Sequence, residues 1–195
     1  MATRTWLPVL TATSAAGWVL AHQPRALAAG ADTALCQGGN AAMGIGLQLG
    51  LAIALLISTS IVHTLVTVIQ VDGLQQPWLE SWCRRHSWCR LLVILAMALI
   101  TAGALIVEIG LWGLLYWGLG LIQGLEASLY FSGITFTTVG YGDMTLHGCW
   151  QLLSVGEAIN GVLMAGWSTA QLVYVVQRTQ TLRLDYKRSL HDLNP

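Results

Sequence analysis

Residues 137 to 143, TTVGYGD, sit between long apolar runs. Non-helical backbone at membrane depth is tolerated only where it is buried in protein or lines a water-filled cavity, because lipid offers no hydrogen-bond partner. Gly140 and Gly142 alternate with Val139 and Tyr141, and glycine accepts left-handed backbone angles without steric cost. Alternating handedness turns successive carbonyls toward one axis. A row of such oxygens is a ladder of hard ligands able to replace the water shell of a monovalent cation.

The elements that must hold such a ladder follow from composition. Of 195 residues, 55% are hydrophobic and 9% charged, and the mean hydropathy is +0.62, which is the profile of a membrane protein. A spanning helix needs about 20 mainly apolar residues; the stretches 48–70, 91–113 and 151–176 qualify. Between the first two lies an interfacial segment, 71–90, with Arg84, Arg85 and Arg90, and after the third comes a tail, 178–195, with Arg178, Arg183, Lys187 and Arg188. The positive-inside rule places both in the cytoplasm. The first helix then runs inward, the second outward and the third inward, so that 114–150, without Lys or Arg, is expected outside.

The amino terminus fits this topology as a targeting signal. Arg4, the apolar stretch Trp6 to Leu20 and the small-x-small site Ala26-Leu27-Ala28 predict a cleaved signal peptide over 1–28; an uncleaved helix interrupted by Pro8 is the competing reading. An outer amino-terminal segment, 29–47, follows. Within 114–150, LEASLYFSGITFTT (125–138) reads as a helix too short to cross a bilayer. It is expected to dip in and return.

Thr138 to Asp143, after a short helix and between two spanning helices, resembles the filter of the pore-loop potassium channels. The resemblance covers helix 91–113, the re-entrant helix, TTVGYGD and helix 151–176. It implies that the carbonyls of Thr138, Val139, Gly140 and Tyr141 hold K+, that the Thr138 hydroxyl closes the innermost site, and that Val139 and Tyr141 brace the filter from behind. One loop per chain implies a homotetramer. Permeant K+ is the only ion expected and no cofactor is required.

Glu126 starts the short helix, where a carboxylate complements the helix dipole; a plain cap and a role in drawing cations stand as alternatives. Tyr130 is the expected donor to Asp143, beside Thr137 at the filter's root, whereas Phe131 and Ile134, where relatives often carry polar support, cannot donate. In helix 151–176, Gly161 is a candidate gating hinge, with close helix contact through Gly156, Gly161, Ala165 and Gly166 as the alternative. Glu157 and Asn160 are polar groups in a span and so functional candidates; for Glu157 the competing reading is a hydrogen bond to the back of the short helix. Glu108 is expected at the outer interface and His63 as a packed, hydrogen-bonded histidine.

Cys83, His86 and Cys89 offer three metal-ligand types, but an interfacial helix with its indoles at headgroup level explains the segment better. Cys36 and Cys149 fall on the outer side, where a disulfide can persist. The first helix lacks the spaced arginines of a voltage sensor, the basic tail is expected to contact anionic lipid, and no nucleic-acid partner is expected. No catalytic set is legible, since His63, Glu108 and Glu157 lie on separate helices. The reading is an all-α integral membrane protein, multi-pass in the plasma or inner membrane, assembling as a tetrameric potassium channel. A weakly selective cation channel and a non-conducting accessory subunit are the alternatives.

Overall fold

Three long helices and two short ones account for nearly all of the regular structure among the described residues. The computed structural model describes residues 41–146 and 150–192; the expected signal sequence, Cys36 and Cys149 lie outside the described residues. In chain order the elements are α1 (Ala41–Leu74), α2 (Pro77–Arg85), α3 (Ser87–Gly118), α4 (Leu125–Phe136) and α5 (Gln151–Asp192). Among the described residues there is no strand. Three helices are long and apolar enough to cross a membrane: Gly44–Leu74, Trp88–Gly118 and Gln151–Leu184. The chain is therefore an all-helical membrane protein.

Each long helix outruns the span expected for it. A helix does not stop at the edge of the hydrocarbon; it stops where the chain supplies a stop signal. α1 ends before Gln76, held extended at φ −67°, ψ 128° by the proline that follows it, and Pro77 then opens α2, where its missing N–H costs nothing. His86, also extended, separates α2 from α3. α3 closes on a glycine cap: Gly120 adopts φ 68°, its N–H donates to Trp117 O and that of Leu121 to Tyr116 O, both at 3.0 Å, which satisfies two carbonyls at the helix end. α5, with 42 residues, measures about 63 Å at 1.5 Å per residue and so extends well past a hydrocarbon core of about 30 Å. The expected tail is thus a helical continuation of α5 through Asp192.

α1 and α5 run side by side, α3 runs antiparallel to both, and α4 is wedged between α3 and α5 at one end. At this loop end Trp112, Tyr116, Phe131, Phe136, Leu146, Trp150, Leu153 and Met164 form a buried cluster. Tyr116 meets Phe131 edge to face, with centroids 5.1 Å apart, a favoured geometry for aromatic pairs. At the opposite, basic end Leu74, Cys83, Cys89, Val93, Met97 and Val175 form a second cluster that seats α2 on α3 and α5. There Cys83 and Cys89 are joined as a disulfide, with Cα atoms 4.9 Å apart, across the extended residue His86 that separates α2 from α3. No group of three metal ligands occurs among the described residues, so the metal alternative for Cys83, His86 and Cys89 is set aside.

Candidate functional site

The loop leaving α4 is built from its root upward. Gly124, at φ 89°, caps the amino end of α4, where Ser128 Oγ donates to Gly124 O at 2.9 Å. Glu126 lies in the first turn, on the end of the helix that favours negative charge. At the carboxyl end Thr137 Oγ1 donates to Gly133 O at 2.6 Å and Gly140 N–H to Ile134 O at 3.0 Å. The loop is thereby tied back onto the helix it leaves.

Beyond Thr137 the backbone alternates in hand. Thr138, Gly140 and Gly142 have φ of 61°, 48° and 78°, and Val139 and Tyr141 between them do not share this sign. Left-handed angles are free for the two glycines but cost a residue with a Cβ about 1–2 kcal/mol, so Thr138 holds a strained conformation that its surroundings must sustain. The whole stretch from Thr137 to Asp143 is exposed in the single chain, Tyr141 at 73% and Val139 at 51%. Asp143 is fixed by Tyr130, whose hydroxyl donates to its Oδ2 at 2.8 Å, the partner expected from the sequence. That bond lifts the Tyr130 hydroxyl above the usual tyrosine range. Phe131 and Ile134 are buried and add no polar support.

Glu157 is fully buried behind α4. It accepts from Ser132 Oγ at 2.5 Å and Tyr116 Oη at 2.7 Å, joining α5, α4 and α3; this is the geometry of the second reading of Glu157. Gly161 sits against the last turn of α4, where a Cβ would lie 1.8 Å from Phe136 O and 2.7 Å from its carbonyl carbon. The geometry at Gly161 is that of a close helix contact. Gly156 makes a similar approach to Ala52, whereas nothing lies within 4 Å of a Cβ at Gly166.

Asn160 faces α1, donating to Thr59 Oγ1 at 2.9 Å. It belongs to a polar seam that sequence reading missed. His63 Nδ1 lies 2.8 Å from Glu108 Oε1, His63 Nε2 lies 3.4 Å from Ser168 Oγ, and the imidazole meets Trp167 edge-on at 5.5 Å. Further along, Thr67 donates to Gln171 at 3.2 Å, Gln171 donates to Gln70, and Gln70 donates to Met97 O at 3.2 Å and Thr101 Oγ1 at 3.3 Å. Glu108 is consequently buried between helices and not at the interface: α3 continues to Gly118 and places Glu108 well below its end. A signal for the seam was present in the polar residues Gln48, Thr59, His63 and Gln70, spaced 11, 4 and 7 apart, which put them on one face of a helix.

Glu108, His63 and Ser168 have the order of a hydrolase relay, yet the chemistry is missing. Ser168 lies inside a helix whose backbone N–H groups are committed to the helix itself, so no oxyanion donors converge on it. The three residues bind helices together.

Comparison with known proteins adds one observation to this geometry. Residues 91–178 match the family model described as an ion channel. The matched stretch takes in α3, α4, the loop and most of α5, and leaves α1 and α2 outside. Protein LctB from Bacillus caldotenax and Protein LctB from Geobacillus stearothermophilus are each 40% identical over 50 residues, 26% of this chain and 37% of theirs. The chain thus spans little more than a third of the length of these relatives. No solved structure matches it.

Proposed function

We propose that the protein is a potassium-selective channel in which four chains set their 137–143 loops around one axis and let K+ flow passively down its gradient. The observation that carries this reading is the alternation of positive φ at Thr138, Gly140 and Gly142. Carbonyls of Thr138, Val139, Gly140 and Tyr141 then replace the ion's hydration shell, with the Thr138 hydroxyl at the innermost site. Exposure of the entire loop in one chain supports assembly, since a single ladder of oxygens cannot surround a cation. The match of 91–178 to an ion-channel family supports the channel class.

Asp143, Tyr130 and Thr137 brace the loop, and Glu157 and Gly161 hold α5 against its base. Glu126 and Asp143 raise cation concentration at the mouth. The distribution of arginines orients the loop outward and the end of α5 toward the cytoplasm. A weakly selective cation channel is the second reading, favoured by the apolar positions Phe131 and Ile134 behind the loop. Proteoliposomes loaded with potassium test the proposal: efflux that proceeds with K+ and fails with Na+ is expected, together with a solution mass of four chains. Tetramers passing both ions equally support the second reading, and a chain that neither self-assembles nor conducts is an accessory subunit.

A further inference from the structure

The geometry points to a binding site for the phosphate of an anionic phospholipid, between the first turn of α3 and the far third of α5. Arg90, Gln180, Arg183 and Leu184 line a cavity of about 310 Å³ there. Residues 180, 183 and 184 share one face of α5, since positions three and four apart are neighbours on a helix. Arg90 reaches the cavity from the first turn of α3, the end of a helix that favours anions.

Charge and position specify the ligand. Two guanidiniums and one carboxamide bring donors to the cavity, and no lining residue is acidic. Neither Arg90 nor Arg183 forms an ion pair with a carboxylate among the described residues. Like charges facing one space repel, and an anion between them reverses the sign of the interaction. Guanidinium groups suit phosphate oxygens through their fork of N–H donors. The source is a lipid because the cavity lies where two spans end: Arg90 is two residues past Trp88, where the apolar part of α3 begins, and Leu184 closes that of α5. Trp82 and Trp88, within eight residues of Arg90 in the chain, are exposed, as indoles are at headgroup level. Leu184 offers an apolar wall toward the acyl chains. The inference needs these helix ends to lie at the membrane surface and is independent of what the pore conducts.

Native mass spectrometry of the purified full chain, titrated with phosphatidylglycerol or phosphatidylcholine in detergent, tests the site. Phosphatidylglycerol should be retained in preference. Arg90→Gln and Arg183→Gln should each lower its retention roughly tenfold, the effect of losing one charge-assisted hydrogen bond, with oligomer elution unchanged. Arg90→Lys and Arg183→Lys should keep part of the retention, and Arg178→Gln, outside the lining, should leave it intact. Equal retention of both lipids, or an equal loss in Arg178→Gln, overturns the proposal. Displacement of bound lipid by millimolar inorganic phosphate would make this a free-anion site and overturn the assignment to lipid.

Discussion

Replacing Gly161 by alanine tests how the inner helix and the loop are coupled. The new Cβ would lie 1.8 Å from Phe136 O, and moving it to the 3.0 Å that real Cβ contacts respect requires α4 and α5 to part by about 1.2 Å. Both partners are backbone, so no rotamer change relieves the clash. Overpacking of this kind costs about 1–3 kcal/mol, against a gain of about 1 kcal/mol from replacing a mid-helix glycine. With the clash at the upper end of that range, the net expectation is destabilisation by about 2 kcal/mol per chain. The displaced carbonyl is one residue before Thr137, so the loop should be disturbed along with the fold. Gly166→Ala, with open space around its Cβ, is the matched control and should stabilise by up to about 1 kcal/mol. Thermal unfolding followed by tryptophan fluorescence, paired with single-channel recording, reads both effects. A Gly161→Ala protein as stable as the parent, changed only in open probability, would refute the contact argument and restore the hinge.

Tyr130→Phe removes the 2.8 Å bond to Asp143 and should speed loss of conduction or weaken potassium occupancy; unchanged currents would argue against that bond's role. Because the Tyr130 hydroxyl titrates above its ordinary value, its bracing is complete below about pH 10 and is lost as pH rises through the raised value. The difference between the parent and the Tyr130→Phe variant should therefore vanish only in strong alkali. Glu157→Leu leaves the Tyr116 hydroxyl buried without its acceptor, while the Ser132 hydroxyl keeps Ile109 O at 2.8 Å, and should cost about 1–3 kcal/mol for the one orphaned group, whereas Glu157→Gln keeps an acceptor and should cost less, as thermal melts will compare. His63→Ala or Glu108→Ala leaves the remaining buried group without its 2.8 Å hydrogen-bond partner and should cost about 1–3 kcal/mol. The double change His63→Leu with Glu108→Met should cost less than either single one, and simple additivity in that cycle would contradict the pairing.

Much of the architecture was legible in one dimension. Long apolar runs mark spans because lipid leaves the backbone no other choice, and the stretch from Leu125 to Thr138 is too short to be one. Tyr130 and Asp143 could be paired because both belong to a recognisable local arrangement. Depth and rotation were harder to read. Glu108 looked interfacial because the apolar run was ended at residue 113, but the helix stops only at its glycine cap, five residues later. His63 was expected to be hydrogen-bonded, but its partner could not be named because it is 45 residues away on another helix, and nothing in a linear sequence states which faces of two helices meet. Gly161 presented two explanations, and only the position of the Phe136 carbonyl separates them. The joining of Cys83 and Cys89 depended on the break between α2 and α3 at His86, which neither composition nor spacing announces.

The most direct test of the central claim is the reversal potential of the purified protein in a planar bilayer, with potassium on one side and sodium on the other. A reversal far toward the potassium equilibrium potential is expected if the carbonyls of Thr138, Val139, Gly140 and Tyr141 form a selective ladder. Robust current reversing near zero would contradict potassium selectivity and direct attention to the apolar support at Phe131 and Ile134.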